Sequence, residues 1–236
     1  MQWHIGTSGW SYAPWAGDFY PKGAKRTAWL SHYAQHFDTV EINNSFYAPP
    51  KPEQLEKWQA MVPVHFLFSV KAPRLITHLK RLHEIEAPLA DFLASIDHKP
   101  KIGPLIFQLP PRFPKQLDRL EALLRLLPPG RPTAIEFRDP DWHDDAVYRL
   151  LTHYNVAFCL FELADYHSPR VTTADFTYLR LHGRERNYRG RYSIAALEDW
   201  HGWLAARQRD AYVYFDNTAE KLNAIENALA LRAMTH

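Results

Sequence analysis

Eight side chains able to carry charge recur at the same end of successive short apolar stretches: Glu41, Glu136, Glu162 and Asp216, with Lys71, Arg138, Arg180 and His182. Gathered in one cavity, these residue types suit acid-base chemistry. The imidazole of His182 exchanges protons near neutral pH, and Glu41 or Glu136 can orient it, so these three are the expected catalytic residues. Guanidinium groups grip carboxylate and phosphate through paired hydrogen bonds, so Arg138 and Arg180, together with Lys71, read as clamps on an anionic substrate. Asn43, Gln108, Asp216, Asn217, Tyr188 and Trp10 complete the expected substrate-binding set. Polar groups in such a set fix orientation, and rings offer a face for a base or a sugar. The reaction expected is cleavage of a phosphoester or a related polar bond, by a hydrolase or a lyase, without a required cofactor.

The same residues allow two other arrangements. One divalent metal could sit on Glu41, Glu136, His182 and Asp216, although three interspersed permanent cations disfavour a multi-metal centre. A non-catalytic nucleotide or nucleic-acid binder would instead use the basic run Gly183-Arg184-Glu185-Arg186-Asn187-Tyr188-Arg189-Gly190-Arg191-Tyr192. A solvated loop with surface arginines accounts for that run equally well. Lys71 would form a Schiff base if desolvated, but nearby carboxylates are expected to hold it protonated. The twelve histidines other than His182 read as surface residues, and His32 and His36, four apart, lack the glutamate of a metalloprotease motif.

Positioning the charged set requires strands. Runs rich in β-branched and aromatic residues span 3–7, 39–43, 65–71, 104–109, 132–138, 156–162, 176–182 and 212–216, and most are followed by helical periodicity. Leu117, Leu120, Leu123, Leu124 and Leu127 form one such stripe, and Leu222, Ile225 and Leu229 another. Pro52 suits a first helical turn, and Asn217 or Thr218 would cap the last helix, with Glu220 in its first turn. Eight strand-helix units predict an α/β fold, a single (β/α)8 TIM barrel over residues 1–236; an open doubly wound sheet is the alternative. The sixth unit is irregular, because residues 165–175 carry Ser168, Pro169 and paired threonines in place of an apolar stripe, which predicts a loop or short helix.

Successive strand residues face opposite ways. One set is apolar and should pack under the helices: Val40, Ile42, Phe66, Phe68, Val70, Leu105, Phe107, Ile135, Phe137, Leu179, Leu181, Val213 and Phe215. The other ends in the charged residues, which in a barrel point inward at the C-terminal rim, where barrel enzymes keep their chemistry. By this parity Cys159 faces the helices as a packing residue. A self-paired ion network that fixes register would leave the same pattern.

With 236 residues, 46% apolar and 23% charged, the chain has the composition of an ordinary globular protein. A formal charge of +2 gives no bulk attraction for nucleic acid. The single cysteine, the absence of a signal-like N-terminus and the lack of any apolar run of about 20 residues predict a cytoplasmic protein without membrane spans.

Several stretches together resemble the YecE-like family, a domain of unknown function with a TIM-barrel fold. They are Ile5-Gly6-Thr7-Ser8-Gly9-Trp10-Ser11-Tyr12, Val40-Glu41-Ile42-Asn43-Asn44-Ser45-Phe46-Tyr47, residues 66–71 with Thr77-His78, and Phe107-Gln108-Leu109-Pro110-Pro111. Glu136-Phe137-Arg138, Arg180-Leu181-His182-Gly183 and Tyr214-Phe215-Asp216-Asn217 follow in order. The resemblance covers nearly the whole chain and implies the barrel; it implies no activity. Glu162 stands where the family commonly has a shorter acid, and Asp216 where asparagine is frequent.

Overall fold

The computed structural model describes residues 1–97, 99–185 and 188–235. Every predicted run forms extended backbone, beginning with β1 (Trp3–Thr7), β2 (Thr39–Ile42), β3 (Leu67–Lys71), β4 (Ile102–Leu109) and β5 (Thr133–Phe137). The sixth run is broken at Cys159 into β6 (Ala157–Phe158) and β7 (Leu160–Leu163). Next come the short β8 (Tyr166–His167), then β9 (Phe176–Leu181) and β10 (Asp210–Phe215). The helices are α1 (Trp29–Tyr33), α2 (Pro52–Ala60), α3 (Glu86–Ile96), α4 (Leu117–Leu126), α5 (Asp145–His153), α6 (Ile194–Ala205) and α7 (Asn223–Ala233).

This is an α/β fold built on two five-stranded sheets, ordered β1-β10-β9-β7-β8 and β2-β3-β4-β5-β6. Every pairing is parallel except the β7 to β8 hairpin. The regular ladders do not run on as one closed barrel. The sheets meet at two narrow seams: a bridge between Ser8 and Glu41, and a hydrogen bond of 2.9 Å from the Cys159 amide to the Ile135 carbonyl.

Parallel sheets bury both faces. The thirteen residues expected under the helices are all in the main apolar core, with Leu120 and Leu124 of α4, Leu197 of α6 and Ile225 of α7. A smaller cluster fills the opposite face: Ile106, Ala134, Ala157, Cys159, Ala174, Phe176, Tyr178 and Tyr214. The sixth run therefore has the reverse of its expected parity. Ala157 and Cys159 are small enough to lie beside Tyr178 and Tyr214, and the bulkier Phe158 and Leu160 fill the helix-facing core. Cys159 thus points away from the helices and Glu162 toward them.

Local signals fared unevenly. Pro52 does open α2, but Leu222 precedes α7 without a side-chain cap, because Asn217 and Thr218 lie a turn upstream. On α7 the buried stripe runs through Ala224, Ile225, Ala228 and Leu231, leaving Leu229 exposed. The segment after β7 forms the β8 hairpin and then loop. Its Ser168 stands in for a ladder partner, the hydroxyl accepting from the Phe161 amide at 2.9 Å. Among the described residues no helix is long and apolar enough to cross a membrane.

Candidate functional site

Parallel strands end together, so the last residues of β2, β3, β5, β9 and β10 deliver their polar side chains to one place. At its centre lies Arg180, only 1% exposed. Its Nη1 donates to Glu136 Oε2 at 2.7 Å, and its Nη2 to Glu41 Oε1 at 2.8 Å and to Asp216 Oδ2 at 3.4 Å. Burial alone would favour losing the guanidinium proton, but Glu41, Glu136 and Asp216 reverse that and hold it more firmly than usual. Its Nε is buried without a hydrogen-bond partner among the described residues.

The two glutamates are fully occupied acceptors. Glu41 takes the Ser8 hydroxyl at 2.5 Å on Oε1 and the Tyr178 hydroxyl at 2.7 Å on Oε2. Glu136 receives Arg138 Nε on its other oxygen. Burial works to raise the Glu136 carboxyl; Arg138 and Arg180 overcome it and keep the group well below the usual carboxylate range. Such a carboxylate is a weak base, so Glu136 is suited to framing charge more than to moving protons.

His182 is buried, with Nδ1 at 2.9 Å from Asp216 Oδ2 and Nε2 at 2.8 Å from Arg138 Nη2. A guanidinium nitrogen only donates, so Nε2 accepts, and the ring proton sits on Nδ1 and is given to Asp216. Burial opposes ionisation of Asp216, but the bond from His182, and then the charges of Arg180 and Lys71, bring its carboxyl below the ordinary value. Asp216 keeps some access to solvent, at 14% of its side chain.

Lys71 is placed differently from the other cations. It ends β3 mostly buried, its Nζ donating to Gln108 Oε1 at 2.6 Å and lying 4.5 Å from the centre of the Phe46 ring. Among the described residues it makes no ion pair, because the carboxylates expected to hold its proton are engaged by guanidinium groups. Burial, then Arg180, lower it from 10.5 to about 8, against the pull of Glu136, Glu41 and Asp216. His78 packs against the same ring, edge to face, with the ring centres 4.9 Å apart. Burial and the charges of Lys71, Arg74 and Arg138 push its imidazole down to about 4, so it is neutral at physiological pH. Composition offered no reason to separate His78 from the surface histidines; the sequence signals for it are its place in the Thr77-His78 stretch and its position seven residues beyond Lys71, in the turn Leu75–Leu79.

The remaining candidates divide. Asn43 reaches the cluster by donating to Ser8 Oγ, leaving Oδ1 buried and unpartnered among the described residues. Tyr188 is 41% exposed, with its ring 5.4 Å from His182. Trp10 is not in the cluster: it packs in the core against Trp58 at 4.9 Å and Phe68 at 6.5 Å. Asn217 is structural, donating to the Gly190 carbonyl at 2.9 Å and to Asn227 Oδ1 at 3.1 Å, which ties the loop after β9 to α7. Glu162 faces α6 and the hairpin, bonded to Trp200 Nε1 at 3.0 Å and His167 Nδ1 at 2.8 Å.

Of the basic run, Arg186 and Asn187 lie outside the described residues. Arg184, Arg189 and Arg191 face acids, at 3.5 Å from Glu162, 3.8 Å from Glu220 and 2.7 Å from Glu226. No group of three metal-binding side chains occurs among the described residues. The oxygens of Glu41, Glu136 and Asp216 that a cation would need already face Arg180, so the four-residue metal arrangement does not fit this geometry.

Comparison with known proteins adds family relationships and no activity. Residues 4–236 match the model of DUF72, a protein of unknown function. The chain is 32% identical over 141 residues to the UPF0759 protein YecE of Escherichia coli (strain K12), a stretch covering 59% of this chain and 49% of that protein, about half its length. It is 28% identical to the UPF0759 protein YunF of Bacillus subtilis (strain 168), over 92% of this chain and 89% of that one. Among solved structures, a DUF72 family protein from Thermotoga maritima superposes with a TM-score of 0.89 at 27% identity, covering 100% of this chain and 99% of that one. One from Enterococcus faecalis gives 0.81 at 18% identity, over 98% and 94% of the two chains.

Proposed function

We propose that this chain, which belongs to the DUF72 family, is an enzyme that works by acid-base chemistry on a small anionic substrate, phosphate-bearing or nucleotide-like, at the strand ends. In this reading residues 1–236 are one domain. The two sheets are halves of a (β/α)8 barrel whose closure is supported by the seams at Ser8 with Glu41 and at Cys159 with Ile135, and the cluster occupies the rim where such barrels do chemistry.

The observation that carries the proposal is Lys71. Glu41, Glu136 and Arg180 largely satisfy one another, as a register-fixing network would, whereas Lys71 is a desolvated cation given, among the described residues, only an amide oxygen and a ring face. A cation held out of water without a carboxylate gains most from an arriving anion. Lys71 and Arg138 then hold the anionic group, with Gln108, Asn43 and Tyr188 around it, while His182 and Asp216 exchange the proton. Glu41, Glu136 and Arg180 keep that pair in place.

Thermal unfolding in inorganic phosphate, pyrophosphate and adenosine monophosphate tests this. At roughly 100 times its dissociation constant an anion adds about 2.7 kcal/mol, which raises the midpoint by roughly 5–10 °C in a chain of this size. Lys71→Met should lose most of that rise. No rise with any of the three anions, or an unchanged rise in Lys71→Met, would overturn the assignment.

A further inference from the structure

Lys71 has more than a binding cation's equipment. Among the described residues, the single hydrogen-bond partner of its Nζ is the neutral Oε1 of Gln108 at 2.6 Å, an acceptor that serves an amine as well as an ammonium. A carboxylate there would lock the charged form; the amide does not. The Phe46 ring closes one side of the stem and favours the ammonium less than an ion pair would. His78, whose ring also packs on Phe46, stays neutral and adds no second positive charge to the surroundings of the nitrogen.

We propose that Lys71 is a covalent site, its Nζ condensing with the carbonyl carbon of an aldehyde or ketone that also carries a phosphate or carboxylate. The anionic half of this substrate class rests on the function proposed above; the covalent half does not. Lys71 first gives a proton to solvent, and the Nζ lone pair forms a bond to the carbonyl carbon while one of the two remaining Nζ protons passes to the carbonyl oxygen. The resulting carbinolamine loses its hydroxyl group together with the last Nζ proton as water, leaving a carbon-nitrogen double bond. The step consumes one amine and one carbonyl, releases one water, and needs neither oxidant nor reductant. A supply of free amine near neutral pH follows from the desolvation that brings Lys71 to about 8. Arg138, its guanidinium 4.6 Å from the Phe161 ring centre, is the cation placed to hold the anionic end.

The probe is pyridoxal 5′-phosphate, an aldehyde bearing a phosphate, added to the full chain and fixed with sodium borohydride before peptide mass mapping. The expected result is an adduct on Lys71 forming at least about tenfold faster than on the exposed Lys57 and Lys22, as a desolvated amine should. Its rate should rise with pH around a midpoint of about 8. Lys71→Arg should lose the adduct. Labelling of Lys71 no faster than Lys57 overturns the covalent site; if phosphate still stabilises the protein, the anion-binding proposal survives that failure. A Lys71 adduct without any phosphate stabilisation supports the covalent site and sinks the anion-binding proposal instead.

Discussion

Replacing Arg180 with methionine preserves much of the side-chain length and removes the charge that two buried glutamates share. Both ion pairs are at full contact, 2.8 Å to Glu41 and 2.7 Å to Glu136, and all three residues are at most 1% exposed. Taking one partner from a buried pair costs about 3–5 kcal/mol, because the charge left behind is uncompensated. Here two carboxylates are left, with Arg138 still beside Glu136, so the same range is a fair expectation. In a chain of this size it lowers the thermal midpoint by roughly 6–20 °C. The loss must also depend on pH. With its folded pKa depressed, Glu136 contributes stability that is present above the unfolded value near 4.5 and vanishes as pH falls through the folded value. Without Arg180, the Glu136 carboxyl keeps only Arg138 and His182 against its burial, so the variant takes up this proton at a higher pH than the parent does. The gap should therefore be narrower at about pH 4 than at about pH 7 in urea unfolding followed by tryptophan fluorescence. A deficit under about 1 kcal/mol, or one equal at the two pH values, would refute the idea that Arg180 is held by these carboxylates.

Lys71 has a folded value of about 8 against 10.5 unfolded, so the unfolded chain binds more protons between them. The parent should then gain up to about 3 kcal/mol over Lys71→Met as pH rises through that window, and a constant difference in urea unfolding would contradict its desolvation. Glu162→Gln should cost about 1–2 kcal/mol through its bonds to Trp200 and His167 yet leave phosphate stabilisation unchanged; weakened phosphate binding would return Glu162 to the site. Gly183 has φ +99° and a Cβ there would meet the Arg189 carbonyl oxygen at 2.1 Å, so Gly183→Ala should open the 184–191 loop to limited proteolysis, and an unaltered digest would argue against that close approach. Cys159, buried and with its thiol pushed up first by burial and then by Glu136, should ignore a thiol reagent until denaturant is added; labelling of the native chain would show the inner cluster to be open.

The strands were legible because β-branched and aromatic runs alternating with helical stripes report burial on two faces, and all eight runs fold as extended backbone. Side-chain direction was legible wherever apolar residues alternated cleanly, as along β2 and β9. It failed on the sixth run, where the charge on Glu162 outweighed the sizes of Ala157 and Cys159 in the reading, although the narrow inner face selects on size. Strand ends also located the charged cluster, since Glu41, Lys71, Glu136, Arg138, Arg180, His182 and Asp216 do converge. What residue types alone could not tell is which charges neutralise which. Arg180 looks like an anion clamp in sequence and proves to be enclosed by carboxylates, whereas Lys71, expected to have carboxylates holding its proton, makes no ion pair among the described residues. Trp10 and Asn217 were misjudged for a related reason: a ring or an amide in a turn after a strand can face the core as readily as the rim.

The cluster draws on both sheets unequally. Glu41 and Glu136 belong to the sheet of β2 to β6, while Arg180 belongs to the other, so the two buried ion pairs of Arg180 with these glutamates cross from one sheet to the other. β1, moreover, lies at the start of the chain but pairs with β10 near its end. Apart from the other sheet, Glu41 would lose its guanidinium partner and Arg180 would lose two of its three carboxylates. Half-assembled forms are correspondingly penalised, and folding becomes a concerted event in which the residues proposed for chemistry also enforce cooperativity between the two halves of the chain.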